Sequence, residues 1–191
     1  MTNRAGALGA VAAFTVAGIT LTGCGTAKPQ AAEKVSAGRA DAAAVAAATS
    51  GRAKIYEFVT RSKQGYFYTT NRKEAERAKN KYKFIPTNRN LGYVSTKRFK
   101  GALTMYRLRY KARSAYLVTL SAKERDQLVR SKRFVYEGVL GYTAKTKGAG
   151  KFRLWRVSKT SWRAVNTVQA KALMKQGWKL NGPLGYVWVR P

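Results

Sequence analysis

Residues 105–142 read MYRLRYKARSAYLVTLSAKERDQLVRSKRFVYEGVLGY, and the order of features along them sets how the rest of the chain is interpreted. Met105-Tyr106-Arg107-Leu108 alternates with the period of two that a half-buried strand requires. A second β-rich run follows at Tyr116-Leu117-Val118-Thr119-Leu120. Ser121 and Glu124 have the spacing of a capping box, in which hydroxyl and carboxylate satisfy free backbone N–H groups at a helix start. The spacing therefore predicts a helix over 122–130, with Leu128 and Val129 turned inward. Phe134 comes next, Glu137-Gly138 reads as a turn, and a last strand carries Leu140-Gly141-Tyr142.

The same order recurs on both sides. Ile55-Tyr56-Glu57-Phe58 and Leu154-Trp155-Arg156-Val157 match the opening strand, so Tyr56, Tyr106 and Trp155 stand 50 and 49 positions apart. Second strands are expected at 66–70 and about 162–165, and helices at 72–81, after Asn71, and 168–176, after Asn166 or Thr167. Gly177 sits where a helix takes its left-handed cap. Phe84 and Trp178 follow the outer helices, Asn181-Gly182 reads as a turn, and Leu91-Gly92-Tyr93 and Leu184-Gly185-Tyr186 close their units. A single unit of this kind cannot bury its apolar face alone. The expected fold is α+β: three strand–strand–helix–strand repeats, about 54–98, 103–146 and 152–191, closed about a pseudo-threefold axis in a β-trefoil-like arrangement. Tyr56, Tyr106, Trp155 and the three signature tyrosines are expected in its core.

The first half-hundred residues have another character. One positive charge, Arg4, precedes an uncharged apolar stretch from Ala5 to Thr22, the order of a secretory signal. That stretch ends in Leu21-Thr22-Gly23-Cys24, which resembles the lipobox of bacterial lipoproteins. The resemblance implies cleavage before Cys24, acylation of that cysteine, and a chain held on the extracellular face of a bacterial membrane. Cys24 is the only cysteine, so neither a disulfide framework nor a cysteine metal site is available. Residues 1–23 are thus assigned to the signal peptide, 24–53 to the lipidated cysteine and an Ala-rich linker, and 54–191 to a basic folded domain. The linker has no aromatic residue and reads as a flexible spacer, with a docked helix over about 41–48 as the alternative.

Tyr66-Phe67-Tyr68-Thr69-Thr70 with Glu76-Arg77, Glu124-Arg125 with Phe134-Val135-Tyr136-Glu137-Gly138, and Gly177-Trp178 resemble a family of secreted bacterial repeats of unknown function. Its units run approximately His-Phe-Tyr-Thr, Glu-Arg, then Gly-Trp-x-Tyr-Glu-Gly. The resemblance covers about 55–190 and implies a surface location and glycan binding. This chain departs from the pattern at the histidine, which is replaced by Tyr66 and Tyr116, and keeps the Glu-Gly pair only in the second unit.

Lysine and arginine number 38 against 8 aspartate and glutamate, a formal charge of +30. Solubility does not need such an excess; it points to an anionic partner. An anionic wall polymer or polysaccharide fits the location, nucleic acid is the runner-up, and an acidic protein the third. Lys97, Arg98, Arg107, Arg109, Arg113 and Arg156 lie in the densest basic runs, and Tyr66, Tyr116 and Trp162 begin strands beside turns. These nine are the candidate ligand-binding residues, guanidinium forks gripping phosphates and rings stacking on sugars.

Catalysis has little to draw on. The chain has no histidine, and its folded part holds only Glu57, Glu74, Glu76, Glu124, Asp126 and Glu137, most of them at helix starts. Metal-ligand spacing, a nucleophile elbow and a phosphate loop are missing. No enzyme activity, cofactor or metal is expected.

Overall fold

The computed structural model describes residues 51–191. The expected signal peptide, the expected lipidation at Cys24, most of the proposed linker and its alternative helix lie outside the described residues. The strands are β1 (Arg52–Lys54), β2 (Tyr56–Val59), β3 (Tyr66–Thr69), β4 (Ile85–Pro86), β5 (Tyr93–Ser95), β6 (Ala102–Tyr110), β7 (Ala115–Thr119), β8 (Phe134–Ala144), β9 (Lys151–Ser158), β10 (Trp162–Asn166) and β11 (Lys179–Trp188). The helices are α1 (Arg72–Asn80), α2 (Ala122–Arg130) and α3 (Thr167–Lys175).

The expected α+β, trefoil-like class is overturned. The described residues are 45% strand against 19% helix, nearly all in antiparallel pairings, and the architecture is β-sandwich-like. One sheet has eight strands in the order β10-β9-β11-β5-β8-β6-β7, with β1 added on β5; the other is β3-β2-β4. The physical reason lies in two dipeptides read as turns. Gly138 and Gly182 sit inside β8 and β11, where the register slips by a bulge, and both have positive φ, 110° and 145°. A bulge bends a strand without ending it. β8 and β11 therefore run through as eleven- and ten-residue strands that tie the later units into one sheet. In the first unit Pro86 lacks an N–H donor, β4 stops after two residues, and a separate small sheet results. Arg52 and Ala53, assigned to the spacer from composition, pair with β5 as Arg52↔Ser95 and Ala53↔Val94.

The recurring Leu-Gly-Tyr tripeptides have a steric explanation. β5, β8 and β11 pair with one another in all three combinations. At each crossing the glycine is pressed by the residue that follows the signature tyrosine of a neighbour: Gly92 by Val187, Gly141 by Val94, Gly185 by Thr143. A Cβ on Gly92 would lie 2.7 Å from the Trp188 carbonyl oxygen and 2.8 Å from a Val187 methyl. Leu91, Leu140 and Leu184 join Ile55, Tyr68, Val94, Met105, Leu154 and Val187 in a central cluster built from both sheets. Tyr93, Tyr142 and Tyr186, expected in the core, are only half-buried, as are Tyr56, Tyr106 and Trp155.

Each helix covers a smaller apolar cluster. Ala75 and Ala78 of α1 pack with Phe58, Phe67, Tyr116 and Phe84; Leu128 of α2 with Leu108, Leu117 and Phe134; Ala170 and Leu173 of α3 with Val157, Val165 and Trp178. The post-helix aromatics thus wedge beneath their helices. Val129, expected inside, is 39% exposed. The caps also differ from expectation. Ser121 accepts from Glu124 N at 3.1 Å, but the Glu124 carboxylate turns away to Thr119 Oγ1 and Arg156, leaving half a box. The complete capping box is at α3, between Asn166 and Gln169. Gly177, φ 81°, ends α3 as expected.

Candidate functional site

Where the cations go separates structural from available charge. Every described carboxylate is held by arginine: Glu57 by Arg89 and Arg163, Glu74 by Arg107, Glu76 by Arg72, Glu124 by Arg156, Asp126 by Arg125, and Glu137 by Arg107 and Arg109. The guanidinium fork matches a carboxylate in two places, which an ammonium cannot do. Among the described residues no lysine joins an ion pair, so the lysines and the remaining arginines carry the outward field.

Most of the residues singled out from sequence belong to the fold. Arg107, 9% exposed, donates to Glu74 at 3.0 and 2.8 Å and to the Tyr68 carbonyl at 2.6 Å. Arg156 repeats this on Glu124 at 2.9 and 2.8 Å and on the Val118 carbonyl at 3.2 Å. Burial alone would raise both glutamates, but the hydrogen bonds from arginine and from Thr69 or Thr119, with the arginine charge, bring their carboxyls below the ordinary range. Tyr116 is buried, its ring 4.9 Å from Phe67, and burial pushes its hydroxyl up to about 12. Tyr66 lies beneath Arg163, 4.3 Å from guanidinium to ring. Trp162 packs between Tyr110 and Phe134. Arg109 pairs with Glu137 at 3.0 Å, and Arg113 donates to the Thr160 carbonyl. These seven do not gather on one ligand-facing surface. Lys97 and Arg98 are exposed, on the β5–β6 loop.

Tyr116, Arg156 and Trp162 share only a closed hollow without room for a water, and of the seven Arg107 alone borders an open cleft. With Ala75 and Ala78 turned to the core, α1 exposes Lys73, Arg77 and, at its C-cap, Lys81. Spacing of four residues puts them on one stripe at intervals of about 6 Å. None of the three is ion-paired among the described residues, although like charges one turn apart weaken a helix by roughly 0.2–0.5 kcal/mol each. The stripe lies on an open, shallow groove of about 440 Å³ formed entirely by this helix and its caps, with Asn71, Glu76 and Asn80. Asn71 and Arg77 are shared with an adjoining cleft of about 270 Å³ that reaches between α1 and β8, over Thr70 and Gly138 down to the Arg107–Glu74 pair. Beyond Lys81, Tyr82 stands 53% exposed with its ring 5.9 Å from Phe84 and the Lys81 Nζ 6.0 Å away. A run of spaced cations ending on an open ring suits an extended anion with stackable units. The basic run at 77–83 was visible in the sequence; its alignment on one helix face beside a groove required the helix orientation.

Among the described residues no group of three or more His, Cys, Asp or Glu is placed to hold a metal ion. No helix among them is long and apolar enough to cross a membrane.

Fold and surface together define a strongly basic, β-sandwich-like domain whose six described carboxylates are each paired with arginine. The chain belongs to the family described as a domain of unknown function, DUF5648, whose profile matches residues 54–188 and, in an overlapping match, 36–108. No curated protein and no solved structure matches it.

Proposed function

We propose that this chain is a non-catalytic lipoprotein, anchored through Cys24 to the outer face of a bacterial membrane, that holds an anionic wall polymer or acidic polysaccharide along α1. The observation that carries the reading is the Lys73–Arg77–Lys81 stripe, three cations at one-turn spacing on a groove, with no ion pair among the described residues. The one carboxylate on the groove, Glu76, is paired with Arg72, so a bound polyanion meets little net opposing charge on this face. Glu74 and Glu124, held below their ordinary range and committed to Arg107 and Arg156, are poor general acids at neutral pH, and the reading is of binding without turnover. The lipid anchor rests on the Leu21-Thr22-Gly23-Cys24 pattern.

The test is retention of the protein on a phosphate-bearing wall polymer, an acidic polysaccharide, a neutral glycan and duplex DNA at physiological salt. Selective retention on either of the first two supports the reading. Retention on DNA alone assigns the groove to nucleic acid, and retention on none removes it.

A further inference from the structure

A second concentration of positive charge lies where the chain enters the fold. Thr96 donates from its backbone N at 2.8 Å and its hydroxyl at 3.0 Å to the Gly51 carbonyl. Ala102 pairs with Ala144, which brings the β5–β6 and β8–β9 loops side by side, and Val189 N donates to the Gly150 carbonyl at 2.9 Å. Arg52 reaches the backbone oxygens of Arg190 and Pro191 at 3.4 and 3.2 Å. Four separate segments thus form one end.

That end carries Lys97, Arg98, Lys100, Lys145 and Lys147, all exposed, beside Arg52, Lys151 and Arg190. No acidic residue occurs in 77–123 or from 138 to the last residue, so none of the contributing loops offers a counter-charge. Trp188 lies at its centre. The Arg52 guanidinium stands 4.7 Å and the Lys151 ammonium 5.2 Å from its ring, and Phe99, 36% exposed, meets it edge-on at 5.7 Å. An indole and a phenyl set among cations combine an apolar body with charges for phosphate, the chemistry of a bilayer interface.

We infer that this loop end is the face the molecule lays against the anionic phospholipid headgroups of the membrane that anchors it. The inference rests on the anchored reading above, because the chain arrives from Cys24 at Gly51, on this face. Only residues 25–50 separate the two. An acyl anchor with a basic patch is the two-signal arrangement that makes membrane attachment stable. The loop-end cations bind headgroup phosphates as mobile point charges, so the contact weakens with salt.

The test uses the mature lipidated protein reconstituted in vesicles of phosphatidylcholine, with or without phosphatidylglycerol. In the Phe99→Cys variant an environment-sensitive dye reports on the loop end; Lys79→Cys reports on α1. A blue shift at position 99 in anionic vesicles only, lost at high salt and in a Lys97, Lys100, Lys145, Lys147→Gln variant, with position 79 silent, is expected. A silent position 99 on lipidated, vesicle-bound protein overturns this inference and leaves the anchored reading standing. A mature chain whose N-terminal peptide lacks the acyl mass overturns both. A shift produced by soluble polyphosphate but not by anionic vesicles overturns it in favour of a polymer site.

Discussion

Arg107 of β6 and Glu74 of α1 form a two-point clamp, 3.0 and 2.8 Å, between a strand of the second unit and the helix of the first. Arg156 and Glu124 make the same clamp one unit further on, at 2.9 and 2.8 Å. In both, the glutamate occupies the third helical position and the arginine also satisfies a carbonyl of the preceding unit's second strand. The first unit has Glu57 in place of the arginine, and there Arg89 bridges from Glu57 to Gln169 at the start of α3. Consecutive units are therefore joined by charge as well as by packing.

Removing one partner of such a pair strands the other. Arg107→Ala leaves Glu74 without its fork and is expected to cost about 2–4 kcal/mol, with Arg156→Ala similar. Denaturant titration of each single variant and of Arg107→Ala with Glu74→Gln measures this. The double variant should lose less than the two singles added.

The carboxyls of Glu74 and Glu124 are held below the ordinary value in the folded state. A depressed folded pKa contributes stability that is present above the unfolded value, about 4.3 for glutamate, and lost as pH falls through the folded value. Thermal melts should thus fall from about pH 4 downward. The acid loss should shrink in a Glu74→Gln, Glu124→Gln variant.

Tyr68 is buried, and its hydroxyl accepts from Ala164 N at 2.9 Å while donating to Glu57 at 3.3 Å. Burial first, and then the Glu57 charge, push this hydroxyl well above the usual tyrosine range, so it stays neutral. Tyr68→Phe keeps the ring and orphans a buried N–H. The expected loss is about 1–3 kcal/mol in unfolding free energy, read by chemical denaturation.

Gly141→Ala places a methyl into Val94 at φ 151°, whereas Gly101→Ala, at φ 77°, meets nothing. The first is expected to destabilise by more than about 2 kcal/mol, and the second by the backbone term alone, about 1 kcal/mol. Equal melting shifts for the two would remove the packing explanation of the Leu-Gly-Tyr motif.

How far the sequence could be read follows from these residues. Local features were legible because their signals are local: Asn71, Ser121 and Gly177 cap helices where spacing put them. The class was not, because a glycine after an acidic or amide residue reads as a turn, while Gly138 and Gly182 are bulges in strands that continue. Pairing of distant strands decides between the two. The internal pairing of several candidate arginines was hidden for a related reason. Arg107 and Arg156 look like surface charge on an alternating strand, and only the helix of the preceding unit, which brings Glu74 and Glu124 to them, makes them internal. Trp188 gave no signal of its own, since the cations around it come from four separate segments.

The most direct test of the account is the salt dependence of binding to a phosphate-bearing wall polymer, for the protein and for Lys73→Gln, Arg77→Gln, Lys81→Gln combined. All three side chains are exposed, so the fold should persist, checked by an unchanged melt. By the relation known for nucleic-acid polyanions, each lost phosphate contact lowers the log–log salt slope by about 0.7–0.9. The account predicts a slope shallower by about 2–3 and affinity reduced at least tenfold at low salt. Unchanged slope and affinity would show that the polymer does not lie along α1.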